Sequence, residues 1–246
     1  MPKHPDIDAV LADWPYQPGV VSARLIQAAD GREVIQLRVE LGLLQMETAD
    51  RPDGQRPGGA ATYLALMIQT AAVEGLAFEL SEEQSAELDR EFIQFYHRRI
   101  CWLALREFDR AVRDADHTLR LMDFAAAHSS NEDWILSHEQ YRPFVLFHRT
   151  QAAALSRLTE DGPEAAVEEI NLGLERIREL YSKLEAEEEF DGDELAEQLR
   201  RLQGWIRENY HVGRTLEEQL ADAVATEQYE LAARLRDELA RRPKGR

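Results

Sequence analysis

"YHRRICWLALREFDRAVRDADHTLRLMDF", residues 96–124, decides the fold. Its large apolar residues Trp102, Phe108, Leu119 and Leu121 alternate with the small residues Ala111 and Ala115 at helical spacing. One helix therefore ends near Leu105, and a second runs from Phe108 to about Ala126. A capping-box pair, Ser81 with Gln84, opens the first of them. A weaker second copy, "TQAAALSRLTEDGPEAAVEEINLGLERI" at 150–177, has Ala154, Ala166, Gly173 and Leu174 at matching places. Small residues there let paired helices approach closely, and neighbouring pairs then bury a shared core.

Helices extend on both sides of these segments. Tyr63, Leu64, Met67, Ile68 and Ala71 share one helical face from Ala61 onward, and Ser130 with Asp133 starts a helix that is interrupted before Pro143. Asp161 and Pro163 start another toward Leu184. "EAEEEFDGDE" at 185–194 reads as a solvated linker, after which Asp193 caps a helix that carries Trp205 and ends near Gly213.

The two long segments resemble tetratricopeptide repeats. The aligned alanines, Ala111 and Ala166, stand 55 residues apart (166 minus 111), against a usual spacing of about 34. An insertion must separate the units, and the resemblance implies an α-solenoid-like bundle. The expected class is mainly α: a tetratricopeptide-like body with a small N-terminal β element and a C-terminal helical hairpin.

Only the N-terminal part reads as β. Ile35, Leu37, Val39 and Leu41 alternate with Gln36, Arg38 and Glu40, the period of a strand with one buried face. Asp30-Gly31 joins this stretch to the apolar run from Val20 to Ile26 as a hairpin turn would, and Leu43, Leu44 and Met46 continue as a third short strand. "RPDGQRPGG" at 51–59 then breaks the chain. The expected divisions are 1–60 for the β element and loop, 61–186 for the helical body, 187–213 for linker and connecting helix, and 214–246 for the hairpin.

The composition narrows the function. With 246 residues, 44% of them hydrophobic, and only 13 Gly and 9 Pro, the chain reads as a folded protein without long disordered tracts. A net charge of −18 repels phosphate backbones and argues against direct nucleic-acid binding. The charge is uneven: residues 129–190 carry 14 acids and 6 bases, whereas 215–246 carry 7 and 6. No apolar run has the roughly 18 residues of a membrane span, and the first residues lack the pattern of a signal peptide. A cytoplasmic location is expected. The single cysteine, Cys101, lies in an apolar stretch and reads as a packing residue.

Chemistry-bearing motifs are few. There is no phosphate-binding loop. "HEQYR" at 138–142 begins like a zinc-protease helix but lacks the second histidine, and the histidines at 4, 97, 117, 128, 138, 148 and 211 have no ligand spacing. Asp114 with Asp116, and Glu187 through Glu189, read as solvating charges on exposed helix faces. Phe92, Phe95, Tyr96 and Trp102 read as core rather than as a base-stacking platform. Arg98-Arg99 and Arg200-Arg201 are balanced by nearby acids, while the tail Arg241-Arg242-Pro-Lys244 could touch an anionic partner. Arg51 and Asp53 are loop-borne as site residues often are, although Pro-Asp-Gly is first a turn. No cofactor or metal is expected.

The C-terminus completes the pattern. Thr215 with Glu218 is a capping box, followed by Leu216, Leu220, Ala223 and Val224 on one face. "TEQ" permits a turn near Thr226, and Tyr229, Ala232, Ala233, Leu235, Arg236 and Leu239 line a second helix. So few apolar side chains cannot offset the entropy lost in ordering both helices. The hairpin must dock on its own body, on a second copy, or on another protein.

"LEEQLADAVATEQYELAARLRDEL" at 216–239 is similar to the UVR motif, a helical hairpin of the excinuclease subunits UvrB and UvrC and of bacterial protease-chaperone and kinase-adaptor proteins. The matching positions are Leu216, Leu220, Ala223, Val224, Glu227, Tyr229, Glu230, Ala232, Ala233, Leu235, Arg236, Asp237 and Leu239. In that family such hairpins pair with one another, so the resemblance implies protein–protein contact. "LRVELGLLQMETADRPDGQRP" at 37–57, ahead of a helical body, is also similar to bacterial proteins labelled UvrB/UvrC-motif or "DNA helicase UvrBC". This chain lacks helicase motifs and the Cys-x-x-Cys pairs of the zinc-binding adaptor relatives. The expectation is a non-enzymatic adaptor whose Leu216, Leu220, Val224, Tyr229, Ala232, Ala233, Leu235, Arg236, Asp237 and Leu239 form the interaction face. The partner is another UVR hairpin or a second copy. Recruitment to excision-repair machinery, and an internally packed hairpin beside an enzyme site in the N-terminal region, are the alternatives.

Overall fold

The computed structural model describes residues 6–183 and 185–241, so His4, Leu184 and the basic tail beyond Arg241 lie outside the described residues. The chain is mainly helical and divides into two compact units, residues 1–145 and 146–246.

The first unit opens with a short helix α1 (Asp8–Asp13), unforeseen in the sequence, and a three-stranded antiparallel sheet in the order β1-β2-β3: β1 (Ser22–Gln27), β2 (Glu33–Val39) and β3 (Gly42–Glu47). Gly31, at φ +85°, supplies the left-handed residue in the β1–β2 turn, and Ala28 N donates to Arg32 O at 2.8 Å. Two strand expectations need correction. Val39 pairs with Gly42, so Leu41 lies in the turn and is 90% exposed instead of continuing the buried face. The polar face of β2 is also covered. Arg38 is buried, donating from Nε to Trp14 O at 2.7 Å, and Gln36 bridges Arg24 and Gln45, each at 2.9 Å. Those hydrogen bonds make the burial tolerable.

Helices α2 (Tyr63–Glu74), α3 (Glu82–Leu105) and α4 (Phe108–His128) follow. The capping box of Ser81 and Gln84 forms in both directions. α5 (Glu132–Glu139) is capped by Asn131, whose Oδ1 accepts from Trp134 N at 3.0 Å; Ser130 instead hydrogen-bonds Glu79. The cap therefore sits one residue later than the Ser130–Asp133 pair predicts, with asparagine in the serine's role. Leu64, Met67, Phe78, Leu80, Leu88 and Leu121 form a core bordered by Phe92, Phe124 and Trp134. Cys101 is fully buried, and burial pushes its thiol up to about 12.

Asp114 corrects the sequence reading most sharply, because it is 4% exposed and not a solvating charge. Arg98, one helix earlier, grips it with two bonds of 2.9 and 2.7 Å, and the Trp102 indole donates to it at 3.1 Å. A buried carboxylate survives where a planar guanidinium and a further donor satisfy it. The remaining arm of Arg98 donates to the carbonyls of Glu47 and Asp50 at 3.0 and 2.9 Å, tying the end of β3 to α3. Glu91 is buried as well and serves as a remote cap for α2. It accepts from Tyr63 N at 2.6 Å and Leu64 N at 3.0 Å, where the helix dipole favours an anion.

The second unit holds most of α6 (Arg142–Glu160), then α7 (Pro163–Lys183), α8 (Glu187–Phe190), α9 (Glu194–Tyr210), α10 (Leu216–Ala225) and α11 (Tyr229–Arg241). Asp193 caps α9 through Ala196 N at 2.7 Å. Gly173 of α7 touches Thr150 of α6 so closely that a Cβ there would lie 2.7 Å from Thr150 Cβ. Ala152, Ala154 and Ala166 are fully buried in the same unit. The segment read as a solvated linker contains the buried Phe190, flanked by the guanidinium groups of Arg178 and Arg200, each 5.0 Å from its ring. One aromatic side chain is enough to fold an otherwise acidic stretch onto the helices.

Candidate functional site

The C-terminal hairpin starts as its sequence dictates. Glu218 N donates to Thr215 Oγ1 at 3.2 Å, and Thr215 N donates to Glu218 Oε2 at 3.0 Å, a closed capping box. The turn uses Glu227 at φ +58°, with Gln228 N donating to Ala223 O at 2.7 Å. α11 then returns along α10.

This geometry divides the ten sequence-predicted face residues into two groups. Leu216 and Leu220 pack on Ala223, Ala232 and Leu235, the seam between the two helices, and Leu239 is half-buried. Val224, Tyr229, Ala233, Arg236 and Asp237 point outward. Val224 is 55% and Tyr229 69% exposed. Arg236 and Asp237 pair with each other at 3.2 Å on the open surface, where an ion pair contributes little. Leu231, 42% exposed, joins Tyr229 along a shallow depression that also includes Arg234, and sequence reasoning missed it. Its only signal was a large apolar residue between the charged Glu230 and the seam residue Ala232.

A polar clasp holds the base of the hairpin. Glu218 Oε1 accepts from Asn171 Nδ2 of α7 at 3.0 Å and from Arg207 of α9. Asn171 is oriented by Gln203 Nε2, which donates to it at 2.6 Å, and Arg207 also donates to Gly213 O at 2.5 Å. Burial alone would raise the Glu218 carboxyl, but the Thr215 N–H, the Asn171 amide and Arg207 hold it below its ordinary range. Beside the clasp, a cleft of about 420 Å³ brings Glu168 and Glu175 of α7 together with Glu217 of α10. Burial pushes Glu168 up to about 7; the adjacent Glu217 carboxyl adds to the rise and the Thr215 hydroxyl opposes it.

Elsewhere the candidate groups are occupied by structure. Arg51 is buried against Glu87 at 3.0 Å and Asp53 at 3.3 Å, and Asp53 Oδ1 accepts from Gln55 N at 3.0 Å within its turn. A cavity of about 930 Å³ in the first unit has Arg98, Trp102, Asp114 and His117 in its wall. Three of these form the buried grip described above, and His117 contacts Glu91 at 2.9 Å. Among the described residues no group of three or more His, Cys, Asp or Glu has the geometry to hold a metal, and no helix is long and apolar enough to cross a membrane.

Comparison with known proteins agrees with the hairpin reading. The family described as the UvrB/uvrC motif matches residues 214–241, which take in Glu218 of the clasp, the seam and the exposed residues of the hairpin. No curated protein and no solved structure matches the chain. The C-terminal segment is thus similar to the UvrB/uvrC motif, a hairpin associated with protein interaction.

Proposed function

We propose that this chain is a non-enzymatic adaptor that captures a protein partner with the outer edge of its C-terminal hairpin. One observation carries the reading. The hairpin fills its seam with Ala223, Ala232 and Leu235, is clasped at its base, and still exposes Val224 as well as Tyr229 and Leu231, the last two in one shallow depression. Tyrosine and leucine beside a polar rim have the composition of a small interface centre. The likeness to the UvrB/uvrC motif supports a partner that is itself such a hairpin, either in another protein or in a second copy of this chain.

The same likeness favours recruitment to excision-repair machinery as a second reading, with contact through the hairpin and not through DNA, since the net charge is −18. The small-residue contact of Gly173 with Thr150 supports a tetratricopeptide-like body. Affinity purification from the native cell tests the adaptor role. Wild type should retain a protein that Tyr229→Ala/Leu231→Ala loses, with both chains equally folded. Identical retained proteins would reject it.

A further inference from the structure

We propose that the cavity of about 930 Å³ in the first unit is a binding site for a small phosphorylated polyol, with Arg113 and Arg120 of α4 holding the phosphate. The hairpin plays no part in it, so the site goes beyond the adaptor reading. A space of this size falls within the roughly 300–1,000 Å³ of small-molecule pockets. Its wall joins the apolar Leu119 to the polar Thr62, Asp116 and His117 and to a rim of arginines.

Most charges at this cavity are already matched. Arg98 and Asp114 grip each other, Asp50 pairs with Arg56, and Arg110 pairs with Glu33 at 2.8 Å while lying 4.8 Å from the centre of the Trp102 ring. Arg113 and Arg120 differ. Each is exposed and uses its Nε on a carbonyl of its own helix, Asp109 O and Asp116 O, both at 3.3 Å. Among the described residues no carboxylate pairs with either guanidinium. They stand seven residues apart (120 minus 113), and two helical turns place them on one face about 10 Å apart along the axis. Two uncompensated positive charges at one concave wall run against a chain net charge of −18, and they draw in an anion that the rest of the surface repels.

The groups beside them select the anion. A phosphate monoester carries close to two negative charges and three acceptor oxygens, which match two guanidinium forks; a single carboxylate leaves one fork unanswered. His117, nine-tenths buried, meets Glu91 Oε1 through Nε2 at 2.9 Å and stacks on Phe95, which leaves Nδ1 to the cavity. Asp116, between the two arginines on α4, opposes a bare anion and suits a hydroxyl donor beside the phosphate. Thr62 Oγ1 accepts from Ala65 N at 3.1 Å and keeps its own proton for a ligand oxygen. A sugar phosphate satisfies all of these.

Calorimetric titration of the full chain at low, constant ionic strength and about pH 8 tests this. The probes are ribose 5-phosphate, inorganic phosphate, and succinate as a dicarboxylate of equal charge. Ribose 5-phosphate should bind saturably at one site and at least about fivefold tighter than either of the others. Arg113→Gln/Arg120→Gln should weaken it at least about tenfold, since two charge-assisted contacts are lost. Both side chains are exposed, so the variant keeps its fold. Arg90→Gln removes an exposed arginine that pairs with Glu87 away from the cavity, and should leave binding unchanged. Absence of saturable binding, or equal weakening by Arg90→Gln, would overturn the site. Succinate binding as tightly as ribose 5-phosphate would overturn the assignment to phosphate, and inorganic phosphate binding as tightly would overturn the polyol.

Discussion

Thr150 and Gly173 meet where α6 crosses α7, and Thr150 Oγ1 is buried there without a hydrogen-bond partner. The contact has the form of a close helix crossing in which glycine leaves room for a β-branched neighbour. Gly173→Ala should therefore destabilise the second unit by about 2–3 kcal/mol, because the new methyl group overlaps Thr150. Thr150→Val keeps the shape and removes the unsatisfied hydroxyl, so it should be neutral or stabilising by up to about 1 kcal/mol. Denaturant unfolding of both variants checks the pair.

The grip of Arg98 on Asp114 predicts an asymmetry. Asp114→Ala leaves a buried guanidinium with its main partner gone and should cost about 3–5 kcal/mol. Arg98→Met/Asp114→Leu removes both charges and should recover much of that loss. Equal destabilisation by the single and double variants in urea unfolding would contradict a buried, mutually compensating pair.

Those two residues also mark where sequence reading stops. Helix starts depend on residues close in sequence, and so Ser81 with Gln84, Asp193, and Thr215 with Glu218 were legible and are found as caps. The same holds for the Asp30-Gly31 turn. Asp114 looked like a surface charge because the arginine that buries it lies 16 residues away on another helix. Phe190 was hidden by the acids around it, and its rescue by Arg178 and Arg200 depends on three-dimensional proximity. At the hairpin, helical spacing identified the apolar positions but did not separate the seam from the edge. That division depends on how α11 is rotated against α10, which left Leu231 unnoticed and placed Ala232 and Leu235 inside.

The two glutamates of the hairpin base predict opposite pH responses. Glu168 is raised to about 7 from an ordinary 4.5, so its contribution to docking is complete below about 4.5 and is lost as pH rises through 7. Glu218 is held below 4.5, so its contribution is present above that value and is lost as pH falls through its lowered one. Hydrogen exchange of residues 214–225, corrected for its intrinsic pH dependence, should show protection falling toward both extremes. Glu168→Gln should flatten the alkaline side alone.

Phe190→Ala should destabilise the second unit by about 3 kcal/mol or more, as for a buried aromatic replaced by a methyl group. A solvated linker would tolerate it within about 0.5 kcal/mol. Thermal unfolding of the variant distinguishes the two.

The edge of the hairpin is the centre of the account, and a photo-crosslinking phenylalanine analogue in place of Tyr229 examines it most directly. Irradiated in the native cell, the full chain should form an adduct with a second polypeptide, and mass spectrometry should locate the crosslink in a helical hairpin of that partner. Crosslinks confined to the chain's own helices would show that the edge is covered from within and would contradict the adaptor reading.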